Sequence, residues 1–270
     1  MVALNATSQT NPWGHPAGIG RPQHGPRFQR ANLLFLLALL YPAPARAQED
    51  FYTPPQPHVI RWWEGAIAAG GLVGAMLLDD NVQRHSQENR TDSKDDLAET
   101  LRHFAQPEVF GTITLGMVGG GLISREPELT RAGGRLAATL ALAGAVSTGV
   151  KIVVGRARPN ESSEPDSYDP FSGQESLPSG HTTIAFALAT ALADDVGKTW
   201  ASIGLYGVAT GVGWSRINDN KHWLSDVYAG AVIGVTSAKL VNGRWRIFNL
   251  QPPSILIGPH HASVAWQVAF

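Results

Sequence analysis

The chain contains no cysteine in 270 residues, which excludes disulfides, thiol nucleophiles and cysteine-ligated zinc. Any metal would have to be held by histidines and carboxylates. An excess of charge is also missing: 21 basic and 22 acidic residues leave a formal net charge of -1, so nothing electrostatic points to nucleic acid. Long apolar runs are scarce too. Most uncharged stretches reach about 12 to 16 residues, short of the roughly 20 needed to cross a bilayer as a helix. What is abundant is small apolar residues, with 43% hydrophobic content and 29 glycines, enough for one sizeable core.

The N-terminal region reads as an address. Arg27 and Arg30 precede the apolar run "ANLLFLLALLY", and Ala45-Arg46-Ala47 then offers a small-x-small cleavage pattern. Residues 1–47 are therefore expected to be a secretory signal peptide, removed before Gln48, with the mature protein exported to the periplasm. Residues 48–57 form a linker, 58–248 a helical domain, and 249–270 a C-terminal hairpin or tail.

Within the domain, Ala/Leu/Val/Gly-rich segments at 60–78, 95–105, 108–123, 131–155, 180–194, 199–215 and 223–241 are too long for strands and read as helices. The expected fold is all-α, a bundle of about six core helices followed by a short β-hairpin or extended tail. Four Gly-x-x-x-Gly pairs, Gly70/Gly74, Gly116/Gly120, Gly207/Gly211 and Gly230/Gly234, predict close helix approach. By the length rule, a soluble or peripheral domain is favoured over a multi-spanning one, although Trp62-Trp63 suits a membrane interface.

Three polar clusters interrupt the apolar pattern. Pro178-Ser179-Gly180-His181 stands at a helix start, where free N–H groups and the helix dipole favour an anion. The Ser179 hydroxyl can cap the helix or donate to an oxyanion, and His181 can give or take a proton. Lys151 and Arg158 lie seven residues apart near one helix face, and Pro159 ends the helix. Two fixed cations suit a phosphate. Lys151 sits between "AGAVSTGV" and "IVVG" and so needs an anionic partner inside. Arg156, by contrast, reads as a snorkelling flank or a C-terminal dipole partner. Finally "SRINDNKHWLSD" supplies Arg216, His222 and Asp226. A helical i, i+4 spacing of the last two would let the carboxylate fix the imidazole tautomer.

Together Lys151-x6-Arg158-Pro159, Pro178-Ser179-Gly180-His181 and Ser215-Arg216-x5-His222-x3-Asp226 resemble the three-part signature of the type 2 phosphatidic acid phosphatase and vanadium haloperoxidase superfamily. The resemblance covers about residues 151–226 and implies a helical bundle with a metal-independent phosphatase site. It makes His222 the nucleophile, Asp226 the group that holds its ring, and His181 the acid for the leaving alkoxide. Lys151, Ser179, Gly180, Arg158 and Arg216 would hold the non-bridging oxygens. Opposed protonation states for the two histidines imply a bell-shaped pH profile.

The expected substrates are a lipid phosphate, an isoprenoid diphosphate or a small soluble phosphate ester, with membrane association possible and nucleic acid not a partner. No cofactor is expected, and vanadate should inhibit. A vanadium-dependent haloperoxidase, with vanadate as its cofactor, and a silent scaffold of the same fold are the alternatives. The acidic loop 160–176 reads as a lid or a solvated connection. Asp79-Asp80 reads as the exit of the first helix and Asp194-Asp195 as a solvated helix end. His85, His103, His260 and His261 carry no assigned chemistry, and Trp214 and Trp223 read as core packing or pocket walls.

Overall fold

The computed structural model describes residues 57–247 and the strand residues 254–258 and 261–265. The expected signal peptide and residues 48–56 of the linker lie outside the described residues. Among the described residues seven α-helices follow in order: α1 Trp62–Glu88, α2 Asp92–Arg102, α3 Pro107–Ser124, α4 Pro127–Val154, α5 Gly180–Val196, α6 Thr199–Asn218 and α7 Leu224–Val241. The all-α expectation holds.

Several boundaries differ for identifiable reasons. Pro127 starts α4 four residues before the expected start, because proline at the first helical position forfeits no hydrogen bond. Gly197, at φ 62°, ends α5 in a left-handed cap. The largest correction is α1. It does not exit at Asp79-Asp80 but runs ten residues on from Leu78 to Glu88. Asp79 is 0% exposed and ion-paired, so its charge does not force the helix into water.

Helix α5 is the axis, with α4, α6 and α7 packed on it, α1 on α7, α3 on α4 and α2 on α6. Its sequence explains this position. Ala185, Ala187, Ala189, Ala191 and Ala193 are all buried, so small side chains face neighbours all round rather than along one stripe. Of the four glycine pairs, Gly230/Gly234 makes the expected close approach. A Cβ at Gly234 would run into the Thr183 carbonyl and lie 2.8 Å from the Ala187 nitrogen. Gly70, Gly74, Gly116 and Gly207 face open space instead. Gly234→Ala is therefore expected to destabilise the fold by about 1–3 kcal/mol. Gly207→Ala is expected to stabilise it by up to about 1 kcal/mol. Denaturant midpoints of the two variants check the opposite signs.

Among the described residues two short strand pairings stand beside the helices. Strand β1 (His58–Val59) pairs in parallel with β2 (Trp245–Arg246), fastening the entrance of α1 to the chain leaving α7. Strands β3 (Ser254–Gly258) and β4 (His261–Ala265) form an antiparallel ladder where the short hairpin is expected, and β3 runs beside α4.

The bundle leaves large apolar side chains outward along its length: Ile67, Leu77, Leu115, Ile123, Ile152 and Ile203 are all exposed, Ile123 at 88%. Helices α4 and α7 are long and apolar enough to cross a membrane. The short uncharged runs join across isolated charges, which is how helices of 27 and 28 residues arise.

Candidate active site

One end of the bundle gathers the three clusters. Helix α4 brings Lys151 in its last turn, and Gly155 then turns the chain at φ 57°. Glycine is required there twice over. The conformation is left-handed, and a Cβ would collide with the Asp169 carbonyl. Beyond it come Arg156 and Arg158. Ser179 is the N-cap of α5, and its N–H donates to the Asp226 carbonyl at 2.9 Å, tying the starts of α5 and α7 together. Arg216 arrives in the last turn of α6.

His222 does not lie on a helix as its spacing from Asp226 suggests. It sits in the turn before α7, and Asp226 is the third residue of that helix, accepting the Trp223 N–H at 2.9 Å. The His222 ring is almost wholly buried, and its Nδ1 lies 2.8 Å from the Ser176 carbonyl oxygen. A carbonyl only accepts, so Nδ1 carries the proton and Nε2 the lone pair. The expected bond to Asp226 is absent: Nδ1 stands 3.6 Å from Oδ2, too far for a hydrogen bond, so the carboxylate acts on the ring by charge. Its own oxygens are already engaged. Oδ2 also accepts from Ser176 Oγ at 2.5 Å, and Oδ1 from Arg156 Nη1 at 2.7 Å.

The cations form a cradle. Lys151 Nζ donates to the Glu175 carbonyl, and a Cβ at Gly180 would lie 4.0 Å from Lys151 Cε. Arg216 Nη1 donates to Asp219 Oδ2 at 2.8 Å, while its buried Nε has no partner among the described residues. Asp219 also holds Arg102 of α2 at 3.2 Å. Arg158 is half-buried, and its side chain makes no ion pair among the described residues. The Ser179 hydroxyl does not cap α5. It accepts from Thr182 Oγ1 at 2.9 Å, which leaves its own proton to donate.

This environment works against protonation of both rings. Burial holds His222 below the usual histidine range; Asp226 opposes that shift, and Lys151 and Arg216 reinforce it. His181 is pushed down to about 4 by burial first, then by Arg216 and His222. Rings held below their unfolded value of about 6.5 bind fewer protons folded than unfolded. Their contribution to stability is complete above about pH 6.5 and is lost as pH falls toward the folded values. Thermal midpoints should therefore drop between about pH 6.5 and 4, and less steeply in His181→Gln.

Sequence reading missed four residues of this assembly: Asp79, Arg156, Ser176 and Asp219. Arg156 is not a snorkelling flank. It is 1% exposed and pairs with Asp79 and Asp226, both at 2.7 Å. The signal was available, since the argument that made Lys151 need an anion applies equally to Asp79 within α1. Away from the site, Asp194 and Asp195 are engaged rather than solvated, at 2.6 Å from Lys239 and Arg135 respectively. Trp223 packs its ring by the Arg156 guanidinium and donates to the Ala157 carbonyl at 3.0 Å.

The family model of the PAP2 superfamily matches residues 132–247, a segment that holds every residue of the three clusters. The lipid A 1-phosphatase of Porphyromonas gingivalis is 38% identical over 108 residues, 39% of this chain and 22% of that protein, so the match spans under a quarter of the relative's length. Among solved structures, a transmembrane PAP2-type phosphatidylglycerolphosphate phosphatase from Bacillus subtilis has a TM-score of 0.56 at 19% identity, covering 67% of this chain and 92% of that one, and shares the fold. Aquifex aeolicus LpxE has a TM-score of 0.49 at 21% identity, covering 61% and 94%.

Proposed function

We propose that the protein is a membrane-associated phosphatase that hydrolyses a lipid phosphate monoester through a phosphohistidine on His222, without a metal. The observation that carries this reading is the Nδ1–H bond to the Ser176 carbonyl, which leaves Nε2 with its lone pair in a ring that feels the charges of Lys151 and Arg216, the second of which keeps a buried Nε without a partner among the described residues. Nε2 attacks phosphorus and the P–O bond to the alcohol breaks. His181 gives its proton to the departing alkoxide, then takes one from the water that displaces Nε2. Lys151, Arg158, Arg216, the Ser179 hydroxyl and the Gly180 N–H hold the non-bridging oxygens, where charge spreads in the transition state.

His181 is neutral in the free site near pH 7 because its value there is about 4. The charge of a bound phosphate offsets Arg216, which is one of the causes of that depression, and so favours the protonated ring needed for leaving-group departure. Lipid specificity is supported by the outward apolar side chains of α1, α3, α4 and α6 and by the two helices of spanning length. The names of the similar proteins, a lipid A 1-phosphatase and a phosphatidylglycerolphosphate phosphatase, support it as well.

The test is hydrolysis of a lipid phosphate and of a chromogenic monoester by detergent-solubilised protein in excess chelator, with and without vanadate. Vanadate takes up the five-coordinate geometry of the transferring phosphoryl group and is expected to inhibit. Turnover that survives chelation and is blocked by vanadate is the expected result. Turnover abolished by the chelator and restored by a divalent cation would sink the reading.

A further inference from the structure

Behind His222 lies a buried charged cluster that reaches outside the segment matched by the superfamily. Asp79, on α1, accepts from Arg156 Nη2 at 2.7 Å, from the Ser225 N–H at 2.8 Å and from Ser225 Oγ at 2.6 Å. Arg156 Nη1 donates in turn to Ser225 Oγ at 2.6 Å and to Asp226 Oδ1 at 2.7 Å. Its Nε donates to the Pro165 carbonyl at 2.9 Å, and its guanidinium carbon stands 5.4 Å and 5.5 Å from the Tyr168 and Trp223 rings. The Arg156 main chain contributes too, since its carbonyl accepts the Ser176 N–H at 3.0 Å. Ser176 then supplies the carbonyl that holds His222 Nδ1 and the hydroxyl that holds Asp226. Both groups set against the ring are thus framed by Arg156, and Arg156 is held by Asp79.

We infer that Asp79 and Arg156 are positioning residues of the phosphatase centre, fixing Asp226 and the Ser176 carbonyl so that His222 presents Nε2 in one orientation. The inference rests on the phosphohistidine reading. Stability alone is a poor reason for the cluster, because three charges taken out of water are often replaceable by apolar side chains at no loss. The same helix carries Gln83 and Gln87 one and two turns on. Gln83 donates to Asn220, and Gln87 donates to the Ile217 and Asn218 carbonyls at 3.1 Å and 3.3 Å. One stripe of α1 therefore grips both sides of the turn that bears His222.

The charge of the cluster gives the test its sign. Two carboxylates and one guanidinium leave one net negative charge behind the ring, facing Lys151 from α4, His181 from α5 and Arg216 from α6. That charge steadies the positive ring of the phosphohistidine. Asp79→Asn keeps the shape and removes the charge. Its kcat should fall about tenfold to hundredfold with KM nearly unchanged. The acid limb of kcat/KM should move to lower pH, because a protonated His222 is less favoured. Ser225→Ala, which keeps every charge and removes one bridging hydroxyl, should lower kcat by a smaller factor with the same split and an unmoved limb. Both are compared with wild type and His222→Ala at equal amounts of folded protein.

Wild-type kcat in folded Asp79→Asn, or a raised KM at unchanged kcat, overturns the inference while an inactive His222→Ala leaves the phosphatase reading standing. If Asp79→Asn does not fold, wild-type kcat in Ser225→Ala overturns it. A fully active His222→Ala protein overturns both.

Discussion

Folded His222→Ala protein is expected to lose turnover by roughly 10⁴-fold or more, the scale on which removal of a covalent nucleophile acts. The size of the effect follows from how little else at the site could replace the ring. Asp226 is saturated by Arg156, Ser176 and Trp223, and the Ser179 hydroxyl lies at the helix mouth without a base bonded to it. Phosphate binding should survive, because Lys151, Arg158 and Arg216 owe their placement to α4, the turn after Gly155 and α6 rather than to His222. The variant should therefore bind inorganic phosphate within a few-fold of wild type while turning nothing over. Weak binding together with lost turnover would mean that His222 builds the cradle rather than attacks. The measurement is a titration of phosphate binding beside steady-state hydrolysis.

The second large effect concerns stability, and it separates two arginines only two positions apart. Arg156→Leu leaves Asp79 and Asp226 buried without their shared cation. Removing one member of a buried pair costs about 3–5 kcal/mol, most of it from the charge left behind. The Arg156→Leu chain should unfold at a much lower denaturant midpoint in detergent. Arg158→Leu removes a half-buried side chain with no ion pair among the described residues, and its midpoint should stay within about 0.5 kcal/mol of wild type. Its loss appears instead in kcat/KM, at about 10²-fold, as for one missing oxyanion donor. The opposite pattern, a stable Arg156→Leu and an unfolded Arg158→Leu, would reverse the assignments.

The contrast between these arginines marks where sequence reasoning stopped. Helices built from Ala, Leu and Gly were legible from composition and length, because no other element accommodates runs of that kind. Lys151, Ser179, His181, Arg216 and His222 were legible because each breaks an apolar pattern or opens a helix. That Asp79 needs a buried partner was legible in the same way, but not which one, because Arg156 lies 77 positions away and spacing along one helix carries no information about contacts between helices. Ser176 was invisible for a different reason. Its main-chain carbonyl holds His222, and a carbonyl is present at every position, so residue type cannot reveal it. The spacing of His222 and Asp226 even misled, since four residues suggest a helical pair while the turn before α7 places the ring beside a carbonyl instead. Glycine spacing failed in the same way at Gly70, Gly74, Gly116 and Gly207, where the pattern is present and no neighbour approaches.

The central claim is that phosphorus becomes bonded to His222, and trapping that bond tests it most directly. Protein mixed with a phosphate monoester carrying labelled phosphorus, quenched in alkaline denaturant within one turnover and digested, should give the label on the peptide containing His222. It should be lost on brief acid treatment, as a phosphoramidate bond requires, and be absent from His222→Ala. Label on a serine, stable in acid, or turnover at full rate with no labelled peptide at any quench time, would contradict the account.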